Sequence, residues 1–519
     1  MEDVNVNISI MKGDKLFNEN TPFVVNVFVP ESKNLKIRSK VDLICVIDIS
    51  GSMAGAKIDL VKKSLKILVN LMEKTDRICI ILFNNSAQNF FNLNYLTKEI
   101  KNKLNNIIDN IKAEGGTNIM SGLEMAVNVL INDKDKEKPN RASSIILLSD
   151  GCDNNFNDNE LAQKLRDLTK NKDLNFTLNS FGYGGDHDPQ TMKKLSILRD
   201  GTFFYVNNYE KVAPYFGIVL GTCTSVISNK ATLVVELLNK KCEIKKIFGE
   251  DYLFSYEKEL NYFNTTMLQF IYGKEFTYVL EFQLKLNEVK EGEDLVLVDF
   301  IYPDNEQNFH KKSVTYKYTL NDANKSKANN EYVRSQVYDT IDKSLDLKHN
   351  SQNNEAKTVL NEMKNWLVDN SQIYQDSNSE NLFLNDINLA LMDYDNVNNN
   401  NNHSIINNIN NYDIENGSNN YNDIETKFET NHETRHGTWH KIGNIESAIT
   451  CKAMSNIKKI SSDPDDIFTT ERQCFYSSSS ERCLKTCTNK CSSKIREEFD
   501  FKPKYKNNKK QNKKKCVIF

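Results

Sequence analysis

The sequence predicts an α/β fold in which a doubly wound, mainly parallel sheet is inserted in an antiparallel β-sandwich, followed by a small helical bundle and a disordered tail. Three observations lead to this prediction. Apolar runs alternate with helical stripes over residues 37–224, β-type patterns flank that region, and an Asn-rich tract begins after residue 395. Each pattern is typical of a different kind of structure. The 519 residues are enough for two or three domains.

The central region has the pattern of a doubly wound sheet. Apolar runs of this length are typical of parallel strands that are buried on both faces. The runs are LICVID (43–48), RICIILF (77–83), SIILLS (144–149) and NFTLNSFG (175–182). Between them, apolar residues recur every three or four positions, as on the buried side of a helix. We therefore assign an α/β domain to residues 37–224.

The segments on either side of this domain alternate between apolar and polar residues. VNVNISI (4–10) precedes the domain, and FTYVLEFQLKL (276–286) and DLVLVDFIY (294–302) follow it. Strict alternation indicates antiparallel strands with one buried face. We expect residues 1–36 to join residues 225–322 in one β-sandwich from which the α/β domain emerges.

The last third of the chain divides into a helical part and a polar part. Apolar residues recur at helical spacing over residues 323–395, which predicts a small bundle packed on the sandwich. Residues 396–515 are rich in Asn, Ser and Lys and have little apolar periodicity. Such a segment cannot bury enough apolar surface to offset the entropy of ordering, so we expect it to be disordered.

The composition argues against several classes of protein. No run of about 18 apolar residues is present, so we expect no membrane-spanning helix. The first residues, MEDVNVNISI, lack the basic and apolar regions of a secretory signal. The 11 cysteines include no CxxC pair, and an odd number favours free thiols in a reducing compartment. These features predict a cytoplasmic protein.

The stretch VIDISGSMAGAK (46–57) is the first candidate for a functional site, because Asp48, Ser50 and Ser52 follow one another where a buried strand ends. A phosphate-binding loop would need four residues between its glycines and then Lys-Ser/Thr, and this stretch has neither. A nucleophile elbow would need a glycine two residues before the serine, with a base to activate it. Neither serine has that glycine, and no histidine lies near in the sequence.

A site for a hard divalent cation fits this stretch better, because Mg²⁺ prefers oxygen ligands in an octahedral array. Two further pieces are expected at the same edge of the sheet, where doubly wound folds bind their ligands. EGGTNIMSGL (114–123) follows a glycine pair with a threonine, and LLSDG (147–151) ends a strand with an aspartate. The sequence therefore predicts a site for Mg²⁺, or alternatively Mn²⁺ or Ca²⁺, formed by Asp48, Ser50, Ser52, Thr117 and Asp150.

The D-x-S-x-S pattern, the threonine after the glycine pair and the aspartate in LSDG resemble the metal-ion-dependent adhesion site (MIDAS) of von Willebrand factor type A (VWA) domains. The resemblance covers about residues 37–224, and the whole arrangement is similar to intracellular members that carry a following β-rich, Vwaint-like domain. It implies that the hydroxyls bind the metal directly and the aspartates directly or through water. It also implies that a partner protein presents an acidic residue to the remaining coordination position.

These features predict a binding protein rather than an enzyme. The sequence places no general base beside the site, so a hydrolase that uses the metal is disfavoured, and no small-molecule substrate is expected. Some plant proteins with a VWA domain also contain a RING finger. This suggests an alternative function, an adaptor in the ubiquitin system that recruits a separate ligase. Without a CxxC pair, this chain has no RING of its own.

The C-terminal residues 516–519, CVIF, match a C-a-a-X prenylation box in which Cys516 would carry the lipid, and the terminal Phe favours geranylgeranyl. One lipid chain binds membranes weakly, and a polybasic segment supplies a second signal on an anionic surface. The basic residues directly before the box are Lys509, Lys510, Lys513, Lys514 and Lys515. We expect peripheral attachment to the cytoplasmic face of a membrane. No module that reads nucleic acid accompanies the lysines, so no nucleic-acid partner is expected.

A group of cysteines in the polar tail allows more than one interpretation. The group is Cys474, Cys483, Cys487 and Cys491. Their spacing does not match a common zinc finger. Palmitoylation, zinc binding and free thiols all stay open for this group.

Overall fold

The computed structural model describes residues 4–395 apart from 11–19, 30–37, 134–140, 171–173, 185, 207–208, 240–241, 249–253, 258–261, 285–288, 305–307, 320–324 and 372–376. The predicted disordered tail, its cysteine group, the lysines near the C-terminus and Cys516 lie outside the described residues. Within the described residues, no helix is long and apolar enough to cross a membrane.

The strands and helices have the following bounds. The strands are β1 (Asn5–Ile10), β2 (Asn20–Phe28), β3 (Lys40–Asp48), β4 (Arg77–Phe83), β5 (Ala87–Tyr95), β6 (Arg141–Ser149), β7 (Phe176–Tyr183), β8 (Phe203–Val206), β9 (Val226–Ser228), β10 (Ala231–Leu237), β11 (Cys242–Ile247), β12 (Phe254–Glu257), β13 (Tyr262–Met267), β14 (Phe270–Ile271), β15 (Glu275–Leu284), β16 (Asp294–Pro303) and β17 (Phe309–Lys317). The helices are α1 (Ala56–Leu71), α2 (Lys98–Ile107), α3 (Ile119–Ile131), α4 (Asp158–Thr169), α5 (Pro189–Ile197), α6 (Tyr209–Thr224), α7 (Lys325–His349), α8 (Asn353–Asp369) and α9 (Ser377–Asp395).

The central sheet has the strand order β5-β4-β3-β6-β7-β8. Its strands are parallel except β5, which runs antiparallel to β4 at the edge. Successive side chains of a strand point to opposite faces. Leu43 and Cys45 of β3 belong to the core shared with α1, α2 and α6, whereas Ile44 and Val46 belong to the core shared with α3, α4 and α5. Helices on both faces confirm the predicted doubly wound, mainly parallel architecture.

Most of the flanking strands form two antiparallel sheets that pack on each other, and β9 pairs with β14 in a separate two-stranded sheet. One has the order β1-β2-β15-β11 and the other the order β12-β13-β10-β16-β17. Phe23 of β2 contacts Tyr316 of β17 edge to face, with ring centroids 6.2 Å apart, across the sandwich. The chain leaves and re-enters the sandwich at adjacent points, since Ser39 N–H donates to Thr224 O at 3.1 Å. The α/β domain is therefore an insertion between β2 and β10.

Helix α7 of the C-terminal helical bundle covers the outer face of the first sheet. Val24 of β2 and Val279 of β15 share a core with Val333 and Val337 of α7, and α8 and α9 pack behind it. The prediction of one buried face is therefore wrong for β15. Its residues Phe276, Leu280 and Phe282 face the sandwich core, while Val279 between them faces the helices. The alternating pattern did not reveal the second face, because valine suits either environment.

Ion pairs join the helical bundle to the α/β domain through α5. The nearly buried Lys193 of α5 donates from Nζ to Asp342 of α7, and Lys194 Nζ lies 3.8 Å from Asp346. We expect Asp342→Asn to lower the free energy of unfolding by about 1–3 kcal/mol, because Lys193 would keep its charge in a poorly hydrated place. Urea denaturation checks this value.

A matched control is available on the same helix. Asp339 pairs with Lys246 at 2.9 Å, and both side chains are more than one-third exposed. Asp339→Asn should therefore change the free energy of unfolding by less than about 0.5 kcal/mol. Equal effects of the two variants would show that the α5–α7 pair is no stronger than an ordinary surface pair.

Candidate metal centre

Three loops meet at the carboxyl-terminal edge of the central sheet. The loop after β3 and the loop before α3 are joined by a backbone hydrogen bond from Gly51 N–H to Gly115 O, at 2.9 Å. Gly115 has φ +87°, a backbone conformation that favours glycine. A Cβ on Gly116 would lie 2.5 Å from Asn85 Oδ1. The glycine pair thus allows the close approach of backbone that the sequence predicts.

Asp48 ends β3 and is completely buried. Its Oδ1 accepts a hydrogen bond from Ser50 N–H at 2.8 Å, and its Oδ2 accepts one from Ser149 Oγ at 2.6 Å. Burial raises the pKa of Asp48 to about 6, the two hydrogen-bonded serines partly oppose that increase, and the charge of Asp150 adds to it. A buried carboxylate with only neutral donors is an environment in which a cation is strongly favoured.

Ser149 also belongs to this group of residues, although the sequence did not predict it. Strands β3 and β6 are parallel neighbours with Ile47 opposite Leu148, so Ser149 comes to lie beside Asp48. Its Oγ donates to Asp48 and accepts from Gly151 N–H at 2.9 Å. The available signal was its place in the LSDG segment, directly before Asp150, but recognising the contact requires the strand register.

Ser50 and Ser52 lie on either side of Gly51 in the turn after β3, and their Oγ atoms are 3.0 Å apart. This separation can be compared with the geometry of a bound ion. Neighbouring ligands in an octahedron around Mg²⁺, with bonds of about 2.0–2.1 Å, are separated by about 2.9 Å. The two hydroxyls therefore already have the spacing that two adjacent ligands of Mg²⁺ require.

Thr117 is tied to the loop after β6. Its N–H donates to Asn154 Oδ1 at 2.6 Å, and its carbonyl oxygen accepts from Asn154 N–H at 3.0 Å. Helix α3 begins at Ile119, and Asn118, not Thr117, caps it through Ser121 N–H. The helix cap therefore does not require the Thr117 hydroxyl. The role of Asn154 could not be predicted from the sequence, because its contact with Thr117 crosses 37 positions.

Asp150 follows β6, is buried, and contacts both the start of α1 and the loop after β7. Its Oδ2 accepts from Lys57 Nζ at 3.2 Å, and its carbonyl oxygen accepts from Asp188 N–H at 2.7 Å. Lys57 Nζ also lies 2.7 Å from Asp186 Oδ1. Burial alone would lower the pKa of Lys57, but these two carboxylates raise it overall. Lys57 is a second member of the site that the sequence analysis did not identify.

The donor set fits a hard cation of moderate size. Among the described residues, no group of three or more His, Cys, Asp or Glu side chains is arranged to hold a metal. The five predicted residues differ from such a group because three of them are hydroxyls. Two carboxylates and three hydroxyls are oxygen donors of the kind that suits Mg²⁺ or Mn²⁺ rather than a softer metal.

Comparison with known proteins identifies the central α/β domain. Residues 42–216 match the family model of the von Willebrand factor type A domain. The chain contains a VWA domain. The similarity in fold extends beyond this domain. A solved structure described as von Willebrand factor type A from Catenulispora acidiphila superposes on this chain with a TM-score of 0.59 and 14% identity. That likeness covers 75% of this chain and 89% of the other, and it shows a shared fold.

Proteins that share the VWA domain differ widely in the rest of their length. An uncharacterized protein of Synechocystis is 29% identical over 38% of this chain and 46% of its own. Human inter-alpha-trypsin inhibitor heavy chain H2 is 32% identical over 34% of this chain and 18% of its own. E3 ubiquitin-protein ligase WAV3 of Arabidopsis thaliana is 30% identical over 22% of this chain and 15% of its own. This chain therefore spans less than half the length of these relatives.

Proposed function

We propose that this protein is a non-enzymatic scaffold whose VWA domain binds a protein partner through a divalent cation. The residues that would hold the cation are Asp48, Ser50, Ser52, Thr117 and Asp150. The observation that carries the proposal is the arrangement of Ser50 and Ser52, whose hydroxyls are 3.0 Å apart beside a buried carboxylate. Mg²⁺ is the cation that this spacing suits best.

The chemistry of the donors explains why binding is the expected result. A bound cation would supply a positive charge that three neutral hydroxyls do not cancel, and this charge attracts a carboxylate of the partner. The titratable groups nearby are poor bases: Lys57 is held as an ammonium between two carboxylates. His187 is buried, with its ring stacked on Tyr205 and Nδ1 bonded to Gly184 O. The residues of the site therefore bind and orient, and we propose no proton transfer.

Partner capture in the presence and absence of metal tests this proposal. We expect proteins that copurify with the full chain in Mg²⁺ to be lost in EDTA and to be lost with Ser50→Ala even in Mg²⁺. Ser86→Ala is the matched control, because Ser86 is an exposed serine on the turn between β4 and β5. A set of partners that is the same for Ser50→Ala and the wild type, with and without EDTA, would contradict the proposal.

We further propose that the protein is held on the cytoplasmic face of a membrane by a prenyl group on Cys516 and by the lysines before it. A single lipid chain and a polybasic segment together provide stable but peripheral attachment. Cys516→Ser should move the protein from the membrane fraction to the soluble fraction of lysed cells, whereas Cys451→Ser, which changes a tail cysteine outside the group discussed above, should not. Persistence of Cys516→Ser in the membrane fraction would exclude prenylation as the anchor.

A second candidate function is an adaptor in the ubiquitin system. The similarity of the VWA domain to E3 ubiquitin-protein ligase WAV3 favours it. In this case the metal centre would bind a component of a separate ligase. Proximity labelling in cells distinguishes the two functions, because an adaptor should label ligase or proteasome subunits in a manner that depends on Ser50. Labelling without such components would favour a general scaffold.

A further inference from the structure

The ammonium group of Lys57 is held in one position by the residues around it. The side chain is only 17% exposed, and Nζ lies 3.2 Å from Asp150 Oδ2 and 2.7 Å from Asp186 Oδ1. The end of its stem packs against Gly184, where an added Cβ would lie 2.4 Å from Lys57 Cε. The lysine is thus fixed on three sides, unlike a surface lysine that moves freely in solvent.

In this position Lys57 binds one carboxylate oxygen of Asp150, which is a proposed metal ligand. Oδ2 of Asp150 accepts from Lys57, while Oδ1 has a weak contact with Cys152 N–H at 3.4 Å. Binding of a metal by both oxygens of Asp150 would require the ammonium to withdraw. Asp48 also has both oxygens engaged, but by neutral donors, the Ser50 N–H and the Ser149 hydroxyl. Lys57 therefore differs from these neutral donors because it carries a full positive charge, which opposes the binding of a metal by both oxygens of Asp150.

The number of oxygens that a carboxylate offers distinguishes the two common hard cations. Ca²⁺ takes six to eight oxygen ligands at about 2.3–2.6 Å and often uses a bidentate carboxylate. Mg²⁺ requires an octahedron with bonds of about 2.0–2.1 Å and takes single oxygens. An Asp150 that can offer only Oδ1 suits the smaller ion.

We propose that Lys57 is a specificity-determining residue of the metal centre: by holding Asp150 through Oδ2, it raises the preference for Mg²⁺ relative to Ca²⁺. The inference rests on the proposed function, because it concerns the same site. Asp186 supports this role by positioning the ammonium from the other side. The proposal needs neither a change of protonation nor a movement of the loops.

Calorimetric titration of the purified full chain with MgCl₂ and with CaCl₂ tests the proposal. In Lys57→Met the affinity for Ca²⁺ should increase more than that for Mg²⁺, so that the ratio of the Mg²⁺ to the Ca²⁺ association constant falls about tenfold or more. Lys57→Arg, which keeps a cation near Asp150, should stay near the wild-type ratio. Lys62→Met is the charge control, because Lys62 lies further along α1 and, among the residues that the structure describes, pairs with the exposed Asp59 alone, at 3.7 Å.

Thermal unfolding in EDTA confirms first that each variant is folded, and Lys57→Gln replaces Lys57→Met if the latter is not. An unchanged ratio in the Lys57 variant would overturn the proposal, even if both affinities increased together. An equal decrease of both affinities would also overturn it, since Lys57 would then only support the fold. A wild-type chain that binds neither cation would instead contradict the proposed function.

Discussion

Asp42→Ala is expected to lower the free energy of unfolding by about 3–5 kcal/mol, the range for breaking a buried ion pair by removing one partner. Asp42 is buried at the amino end of β3, and the proposed metal centre lies at the other end of this strand. It accepts from Arg77 Nε at 2.8 Å and from Arg77 Nη2 at 2.6 Å, and Arg141 Nε lies 2.9 Å from both of its oxygens. Alanine would leave two buried guanidinium groups; among the described residues Arg77 would keep the carboxylate of Asp133, and Arg141 would keep no carboxylate partner.

Urea denaturation of the purified protein in EDTA measures this effect without a contribution from metal. Asp59→Ala is the control, because it removes an exposed carboxylate 3.7 Å from Lys62 and should change the free energy by less than about 0.5 kcal/mol. A loss below about 1 kcal/mol for Asp42→Ala would mean that water reaches the two arginines in solution and that the network is less buried than the structure indicates.

The second large effect is expected for replacement of Asp48, which should weaken metal binding but stabilise the metal-free protein. Asp48→Asn removes one of the two carboxylates, and we expect it to abolish Mg²⁺ binding. The same change should stabilise the metal-free protein at pH 7 by up to about 3 kcal/mol, because burial raises the pKa of Asp48 from 3.8 to about 6. Asparagine keeps the acceptor for Ser50 N–H, and the Ser149 hydroxyl can rotate to accept from its amide.

The sign of the pH dependence follows from the raised pKa. The ionised carboxylate of Asp48 destabilises the metal-free fold, so its cost is absent below about pH 4 and complete above about pH 6. The stability advantage of Asp48→Asn in EDTA should therefore be largest near pH 7 and should shrink as the pH falls through 6 towards 4.

Chemical denaturation at several pH values, with EDTA or with Mg²⁺, checks both parts of this prediction. Asp109→Asn is the charge-matched control, because Asp109 is an exposed residue paired with Lys66 and should affect neither quantity strongly. In Mg²⁺ the wild type should gain stability and the Asn variant should not. Tight Mg²⁺ binding by Asp48→Asn would remove Asp48 from the proposed site.

Much of the central domain could be predicted from local patterns. Residues 43–47 and 145–148 are apolar throughout because β3 and β6 are covered by helices on both faces. Position-by-position contacts could not be predicted in the same way. Whether Lys57 meets Asp150, 93 positions away, depends on the angle at which α1 leaves the edge of the sheet.

In the β-sandwich, too, local sequence patterns predicted the strands but not the contacts between distant segments. Alternation correctly indicated antiparallel strands, but it did not reveal that α7 covers the outer face of β2 and β15. The apolar residues that make this contact, Val24 and Val279, stand at positions where an exposed strand face also tolerates valine. A pattern of period two specifies which residues share a face, and only packing decides whether that face meets water or a helix.

By itself the sequence determined the class of fold and the five candidate donors, because strand ends and the D-x-S-x-S turn are local features. Asp48, Ser50 and Ser52 fall within a single turn, so no distant information was needed to group them. The tertiary structure alone decided how Asp48 and Asp150 are held. Ser149 contacts Asp48 through the parallel register of β3 and β6, and Lys57 reaches Asp150 from the first turn of α1. Those contacts depend on the packing of distant segments, which a local pattern does not encode.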